Sequence, residues 1–220
     1  MIQATGTAEK VNTTTGVKKK IVILRGDGIG PILITQALKV MDAIAERFNH
    51  HFEYCECPIG ASAIQAYNDP LPENTLASCL KADASIIGAV GYPAHDLNFN
   101  QGSTPDEGLL RLRKGLGLFC NIRPIRTNQY LLKLSHLKKK YVEEVDFLIF
   151  RELSSGIYFG DKGRTENRSA AYDVCYYTKE QIHQVAHLAF RAAQQRKGKL
   201  TLIDKANVLE TSKLWREEVK

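Results

Sequence analysis

The chain has 220 residues, of which 44% are hydrophobic and 25% are charged, and its formal net charge is +6. These values are typical of a globular protein with one large or two small domains, and no apolar run approaches the ~18 residues of a membrane-spanning helix. Much of the positive charge comes from the lysine runs 18–20 and 138–140, which have no interleaved aromatic residues. We therefore expect solvated surface there, no nucleic-acid partner and no membrane span.

Five cysteines lie at positions 55, 57, 79, 120 and 175, without the spacing of a disulfide framework. This set favours a reducing, cytoplasmic location. Cys55 and Cys57 form a C-x-C pair, but no second pair or nearby histidine completes a zinc site. We interpret them as side chains on one face of a strand.

Residues 1–18 are predicted to be a disordered tail, because "MIQATGTAEKVNTTTGV" is polar and Thr-rich. The segment lacks the apolar centre of a secretory signal and the arginines of a transit peptide.

The first ordered segment, "KKIVILRGDGIG", predicts a buried strand at 21–24 followed by a tight glycine turn. Pro31 suits the first turn of the helix that follows. "HFEYCEC" and "DASIIGAVG" read as further strands, and "PLPENTLASCLKA" as a helix between them. The β-α-β-α-β order predicts a parallel sheet covered by helices. The apolar positions of the first helix recur at helical spacing: Leu33, Ile34, Ala37, Leu38, Met41, Ile44, Ala45 and Phe48.

The second half is also predicted to alternate strands and helices. "VDFLIF" reads as a buried strand that ends at Arg151, and Thr178 and Gln181 have the spacing of a capping box. "KLTLID" reads as a strand that places Lys205 at its carboxyl end. In open parallel sheets, ligands bind beyond the carboxyl ends of strands, so residues there are candidates for a site. The apolar face of the helix between these strands consists of Ile182, Val185, Ala186, Ala189 and Ala193.

Three arginines and two proton-transfer groups are the candidates for chemistry. Arg113, Arg123 and Arg151 could each hold a carboxylate through two parallel hydrogen bonds, although an arginine taken alone is most often a surface residue. Lys205 could act as a base if other cations lower its pKa, and Tyr158 could donate a proton. The alternative without a catalytic role is that Tyr158 is a packing residue and Lys205 is a charged residue at a strand end.

The glycine turn "GDGIG" is weak as a dinucleotide-binding motif, because Pro31 stands where a third glycine is needed. Longer motifs are more specific. "GDGIGP", "PLPENTL", "EGLLRLRKGLGLFCNIRP", "VDFLIFRELSSGIYFG" and "LTLIDKANVLETSKLWREEV" follow in order, and from about residue 19 to residue 220 the chain resembles the 3-isopropylmalate dehydrogenase family of β-decarboxylating dehydrogenases. The resemblance implies a two-domain α/β/α fold with a parallel or mixed sheet that is incomplete at the C-terminus.

The resemblance also implies an activity, namely NAD-dependent oxidative decarboxylation of 3-isopropylmalate in leucine biosynthesis with Mg²⁺ or Mn²⁺. Arg113, Arg123 and Arg151 would hold the malate carboxylates, and Leu109 and Leu110 would contact the isopropyl group. Tyr158 would protonate the enol, and Lys205 would take the hydroxyl proton in the neighbouring subunit's site of a homodimer. Contacts to the cofactor would come from Ile29, Gly91, Asp106 and Asn207.

The sequence departs from the family pattern near the expected site. Ile32 replaces a glutamate after "GDGIGP", "VGYPAHD" introduces Tyr92 and His95, and Asp106 replaces a loop glutamate. "RELSSG" likewise replaces "RELTGG". These changes affect the expected substrate preference and cofactor geometry.

Two domains are expected, at 19–120 and 121–220, with an arm at about 154–177 that pairs with a second subunit. Family members are longer than this chain. Their metal-binding aspartates are therefore expected beyond Lys220, and no metal ligand is expected in this chain. The chain alone is expected to be inactive. The alternatives are a related enzyme acting on tartrate, isocitrate or homoisocitrate, and a non-catalytic subunit that binds a partner.

Overall fold

The computed structural model describes residues 16–91 and 103–220. The chain divides into two compact units, Met1–Leu112 and Arg113–Lys220. None of the helices in these described ranges is long and apolar enough to cross a membrane. Of the tail predicted at 1–18, residues 1–15 lie outside the description, whereas Lys18 already belongs to the first strand.

The first unit contains a three-stranded parallel sheet. β1 (Lys18–Leu24) lies between β2 (His51–Cys57) and β3 (Ala84–Ile87). These pairings confirm the predicted parallel sheet. Consecutive strands can run in the same direction because helical crossovers connect them. The crossovers consist of α1 (Gly30–Phe48), then α2 (Ala61–Tyr67) and α3 (Glu73–Lys81).

One cluster of the core of this unit lies between β1 and α1. Ile21 and Ile23 of β1 cluster with Ile34 of α1, and Pro31 stands in the first turn of α1 as predicted. The apolar face of α1 is narrower than predicted, since Leu33 and Phe48 are about half exposed. Only the side chains directed at the sheet find a covering surface among the described residues. Partly buried residues around the cluster are Leu38, Met41, Phe52, Tyr54 and Ile86.

The second unit contains two antiparallel strand pairs. β4 (Cys120–Arg126) pairs with β5 (Asp146–Glu152), and β6 (Lys162–Arg164) pairs with β7 (Ala171–Asp173). The hairpin of β6 and β7 falls in the arm predicted at 154–177, and its pairing with a second subunit stays a prediction. The strand predicted at 145–150 is present as β5, but the prediction that it is buried was wrong, because Phe147 and Ile149 are 47% and 42% exposed. Residues of β5 alternate between two faces, and the described chain covers neither face fully.

Three α-helices and three short 3-10 helices complete the described chain, and the 3-10 helices span Gln129–Leu134, Lys139–Tyr141 and Gly156–Tyr158. α4 (Pro105–Gly115) spans the boundary between the two units. α5 (Lys179–Gln194) packs against β5 and against α6 (Glu210–Val219). The capping box at the start of α5 is confirmed, with the Thr178 hydroxyl accepting from the Gln181 amide and the Gln181 side chain accepting from the Thr178 amide.

The strand predicted at 199–204 is absent from the structure. These residues form no ladder with any described strand, and Ile203 is 93% exposed. An apolar alternating segment becomes a strand only when another strand accepts and donates its backbone hydrogen bonds. Lys205 therefore follows an unpaired segment and does not end a buried strand.

Candidate functional site

The predicted carboxylate-binding arginines come from α4, β4 and β5. Arg113 lies in the last turn of α4, Arg123 in the middle of β4 and Arg151 near the end of β5. In the β4–β5 ladder Arg151 lies opposite Asn121, which is two residues from Arg123. Because side chains two apart or directly opposite share a face, Arg123 and Arg151 extend from the same side of this pair.

The charges of the three guanidinium groups interact. Burial, followed by the positive charges of Arg151 and Arg123, lowers the pKa of Arg113 from its ordinary value, and Tyr158 opposes this. A guanidinium stays protonated at neutral pH in any case, so the lowered pKa shows that burial and the neighbouring positive charges both disfavour the charged form of Arg113. The structure thus brings these three residues into one positively charged group.

The cluster also lacks acidic partners. Among the described residues, no carboxylate lies within ion-pair distance of Arg113, Arg123 or Arg151, and the Arg123 Nε donates to the Asn121 amide oxygen at 2.6 Å. Four other arginines do have carboxylate partners: Arg25 with Glu56, Arg111 with Asp69, Arg196 with Asp146, and Arg216 with Asp204. An unneutralised group of like charges is suited to receive an external anion with several carboxylate oxygens.

Tyr158 lies at the edge of this cluster. It ends a short 3-10 helix at Gly156–Tyr158, and the Arg151 Cζ lies 5.2 Å from the centre of its ring. This distance allows a cation–π interaction. The side chain is 56% exposed, so its hydroxyl is accessible to a ligand held by the arginines.

Glu152 holds the turn that leads to Tyr158, a role that the sequence reasoning missed. Its Oε1 accepts from the Ser154 amide at 2.6 Å and from the Ser154 hydroxyl at 2.5 Å, while its Oε2 accepts from the Ser155 amide at 3.1 Å. At the next residue, Gly156, φ is +73° and an added Cβ would lie 2.4 Å from the Tyr177 hydroxyl oxygen. Only glycine fits this position.

Leu109 and Leu110 lie on the same helix as Arg113, four and three residues before it, and both are half-buried. Residues at these spacings share one face of a helix. One face of α4 therefore carries both a cation and two apolar side chains.

Lys205 and Asn207 are exposed and lie between α5 and α6. The backbone of Lys205 accepts from the amides of Val208 and Leu209, and its own amide donates to the Ser212 hydroxyl. No hydrogen bond or ion pair within the described ranges joins the Lys205 ammonium group to the arginine cluster or to Tyr158. The structure of one chain thus does not bring the predicted base to the predicted acid.

The three predicted cofactor residues of the first unit surround the end of its sheet. Ile29 is exposed just before α1, and Gly91 follows β3 with φ of +134°. An added Cβ at Gly91 would meet only the Asp106 Oδ1, at 3.9 Å, so Gly91 and Asp106 are neighbours and the space beside the Gly91 Cα is open. The departures at Tyr92 and His95 lie outside the described residues.

Asp27 organises this region, and the sequence reasoning missed it as well. The residue is 5% exposed, and its carboxylate accepts from the amides of Ala61, Ser62 and Gly91 at 2.9, 3.3 and 3.1 Å. It therefore joins the turn after β1, the start of α2 and the segment after β3. A charged residue between two glycines after a buried strand was the available signal.

Metal ligands are not grouped in the part of the chain that the structure describes, which has no cluster of three or more His, Cys, Asp or Glu suited to a metal ion. The described residues thus do not fit the divalent metal that the resemblance implies.

Comparison with known proteins gives a consistent set of relatives. A sequence profile described as isocitrate/isopropylmalate dehydrogenase matches residues 20–220. A 3-isopropylmalate dehydrogenase of Bacillus subtilis (strain 168) is 47% identical over 205 residues, which cover 91% of this chain and 56% of the relative. One from Aquifex aeolicus (strain VF5) is 45% identical over 206 residues, covering 92% and 56%. The chain thus spans about half the length of these curated relatives.

Solved structures show the same pattern. Isocitrate dehydrogenase from Methylococcus capsulatus superposes with a TM-score of 0.76 at 26% identity, over 91% of this chain and 55% of that one. An apo β-decarboxylating dehydrogenase from Thermococcus kodakarensis gives 0.65 at 31% identity, over 91% and 53%. The observed fold is therefore that of part of a β-decarboxylating dehydrogenase.

Proposed function

The chain belongs to the isocitrate/isopropylmalate dehydrogenase family, and we propose that it is part of an NAD-dependent 3-isopropylmalate dehydrogenase. The observation that carries the proposal is the cluster of Arg113, Arg123 and Arg151, which has no carboxylate partner among the described residues. The names of curated relatives that are 43% to 48% identical to the chain support the choice of isopropylmalate.

In the proposed site the arginines bind the two malate carboxylates and fix their orientation. The face of α4 that carries Arg113 also carries Leu109 and Leu110, whose apolar side chains would contact the isopropyl group. Such contacts discriminate modestly, by about 1–3 kcal/mol per methylene-sized difference, between isopropylmalate and its polar analogues.

Tyr158 and Lys205 carry the proton transfers in this proposal. Lys205 takes the proton of the substrate hydroxyl, and Tyr158 returns a proton to the enol carbon after CO₂ has left. The resemblance implies a homodimer in which Lys205 serves the neighbouring subunit's site, and the position of Lys205, without a described contact to the cluster of its own chain, is compatible with that arrangement. The arm at 154–177 would then pair the subunits, and the five free cysteines suit a cytoplasmic protein.

NAD, when bound, would accept the hydride. Gly91 and Asp106, with Ile29, are the residues of the first unit that would hold it, and the open backbone at Gly91 allows a ligand to approach closely. Asn207 would contact the nicotinamide ribose. No step is assigned to a metal ion, since the described residues contain no suitable ligand group.

Calorimetric titration of the 220-residue chain with 3-isopropylmalate tests the binding part of this proposal. Arg113→Gln should weaken binding by roughly 10- to 100-fold, because a hydrogen bond to a charged group contributes about 1.5–3 kcal/mol. Arg191→Gln, an exposed position on α5, makes the same change in charge and should leave binding unaltered. Equal losses in the two variants, or no binding by the parent chain, would contradict the carboxylate-binding role.

The same titration with isocitrate tests the substrate preference. Weaker binding of isocitrate is expected, because its third carboxylate would meet the apolar side chains of Leu109 and Leu110. Tighter binding of isocitrate would assign the chain to another branch of its family.

A further inference from the structure

The backbone around Tyr158 is attached to the segment that leads into α5. Before Tyr158, the Gly156 amide donates to the Tyr176 carbonyl oxygen at 2.9 Å. After it, the Val174 amide donates to the Asp161 carbonyl oxygen at 2.8 Å. The position of the proposed proton donor therefore depends on a distant part of the same chain.

Close packing at two glycines adds to this attachment. An added Cβ at Gly156 would overlap the Tyr177 hydroxyl oxygen, and would lie 2.9 Å from the ring carbon that carries it. An added Cβ at Gly160 would overlap the Val174 carbonyl oxygen. Because glycine has no Cβ, the Tyr177 phenol can lie directly against the backbone that leads to Tyr158.

Tyr177 is itself fixed from two directions. The next residue, Thr178, is the N-cap of α5, and the Tyr177 ring lies edge-on to Trp215 of α6 with centroids 5.6 Å apart. Edge-to-face aromatic pairs of this kind are favourable contacts. Burial raises the pKa of Tyr177 from its ordinary value, and the positive charge of Arg151 opposes this. The phenol thus lies between α6 and the arginine cluster.

The helix that holds the Tyr177 ring also anchors the segment of Lys205. The Lys205 amide donates to the Ser212 hydroxyl at 3.1 Å, and Arg216 binds the Asp204 carboxylate at 2.7 Å. Both Ser212 and Arg216 belong to α6. One helix is therefore in contact with the supports of the proposed acid and of the proposed base.

We propose that Tyr177 is a positioning residue for Tyr158, and that its ring fixes the Tyr158 backbone relative to α6. The inference rests on the proposed function, because it takes Tyr158 to be the proton donor. Such a donor must lie within about 2.6–3.2 Å of the atom that it protonates. A displacement of about 1 Å can reduce a rate by about 100-fold, so a support of this kind matters to the reaction.

Fluorine NMR of the 220-residue chain tests this proposal. 3-Fluorotyrosine is introduced at position 158 alone, so that one resonance reports the surroundings of that ring. In the parent chain the resonance should differ from that of the urea-unfolded chain, because the Arg151 Cζ lies 5.2 Å from the centre of the ring. In Tyr177→Ala it should move most of the way to the unfolded position, under conditions where circular dichroism shows a folded chain.

Tyr176→Ala is the matched control. It makes the same substitution at the next position, keeps the carbonyl group that binds the Gly156 amide, and removes a side chain that is 63% exposed. The resonance should stay at its parent position. A shift as large as that of Tyr177→Ala would overturn the proposal.

Tyr177→Phe covers the case in which Tyr177→Ala does not fold. It removes only the hydroxyl that lies against Gly156 and keeps the ring beside Trp215. The resonance should move in the same direction as in Tyr177→Ala, but less far. A resonance that stays in place in the folded Tyr177 variants would overturn the proposal.

Addition of 3-isopropylmalate separates this inference from the proposed function. The ligand should shift the parent resonance, because Tyr158 lies beside the arginines that are proposed to bind it. A parent resonance that ignores the ligand would overturn the proposed function, and with it the catalytic meaning of the Tyr177 contact. A resonance that responds to the ligand but not to the Tyr177 substitutions would overturn the positioning role alone.

Discussion

A guanidinium group beside two others is a less stable cation until an anion arrives. Arg113 is in this position, since burial and the charges of Arg151 and Arg123 lower its pKa. Like charges gathered without counter-ions reduce stability, so such a cluster is more often explained by a ligand than by folding. At the scale of single residues, this separates the cluster from arginines such as Arg216, which binds the Asp204 carboxylate at 2.7 Å.

Asp27 is the opposite case, because its carboxylate accepts hydrogen bonds from three backbone amides of the same chain. Replacing it with asparagine leaves one acceptor oxygen for three backbone amides, and a buried donor without a partner costs about 1–3 kcal/mol. We expect Asp27→Asn to lower the free energy of unfolding by about 2 kcal/mol or more, measured by urea denaturation.

Asp83→Asn is the comparison for that measurement. Asp83 also accepts from a backbone amide, that of Lys20, but its side chain is 40% exposed, so water can replace the lost interactions. Its loss of stability should be clearly smaller. Equal effects of the two substitutions would show that burial of Asp27 does not matter.

At the scale of elements, the N-terminus of α5 is stabilised by its capping residue, Thr178. The capping box satisfies two backbone amides at the N-terminus, where a helix has no internal acceptors. The apolar residues Ile182, Val185 and Ala189 then bury one face of the helix. α5 is therefore the element that supports β5 and α6.

Thr178→Ala should lower the free energy of unfolding by about 1 kcal/mol, the typical contribution of an N-cap hydroxyl. Thr178→Ser keeps the hydroxyl and should stay within a few tenths of a kcal/mol of the parent. Chemical denaturation of the three chains measures both values. A Ser variant as unstable as the Ala variant would mean that the methyl group, not the cap, contributes the stability.

The packing of α6 on α5 depends on carboxylates. Glu218 of α6 accepts hydrogen bonds from Lys179 and His183 of α5, both at 2.6 Å, and these bonds lower its pKa from 4.5. A lowered pKa in the folded state gives stability that is present above the ordinary value and is lost as the pH falls through the folded value. Asp204, paired with Arg216, also has a lowered pKa, and its contribution is present above its ordinary value of 3.8 and is lost as the pH falls through its own folded value.

Trp215, the only tryptophan, reports this packing because its ring lies edge-on to Tyr177 with centroids 5.6 Å apart. We expect its fluorescence to change as the pH falls below 4.5, the ordinary pKa of Glu218. In Glu218→Gln the signal should be altered at neutral pH already, with a smaller acid transition. Glu210 lies on the same helix and its side chain is 84% exposed, so Glu210→Gln should behave as the parent. Identical curves for all three chains would rule out a role for Glu218.

At the scale of the whole molecule, the chain corresponds to about 55% of the length of its relatives, and large apolar side chains remain exposed on α1, β4 and β5. The described residues hold the arginine cluster but no group of metal ligands. Carboxylate binding requires only charge and geometry, whereas the proposed oxidation needs more than the described residues supply.

We therefore expect the 220-residue chain alone to produce no more than trace NADH from isopropylmalate, NAD and Mg²⁺ or Mn²⁺. Adding the remaining sequence of a relative such as the B. subtilis enzyme, in cis or in trans, should give metal-dependent turnover. Losing a metal effect of several kcal/mol slows a reaction by orders of magnitude, about tenfold for each 1.4 kcal/mol. Robust turnover by the chain alone would contradict this expectation.

The sequence by itself determined the local elements and the family. Periodicity and the β-α-β order predicted β1, β2, β3, α1 and α3, because these depend on neighbouring residues and on the burial of one face. The short helix α2 was not predicted. The Thr178 capping box was readable for the same reason. Ordered motifs such as "NIRP" and "DKANVL" carried the resemblance.

Only the tertiary structure decided which distant residues meet. Residues 199–204 have the pattern of a strand, but a strand forms only with a partner, and none is described. The grouping of Arg113 with Arg123 and Arg151 depends on how β4 pairs with β5 and where α4 ends. The three amides bound by Asp27 and the 5.6 Å between the rings of Tyr177 and Trp215 are likewise distances, which no spacing along the chain specifies. Sequence fixes which groups are available, and packing fixes which of them are close enough to act together.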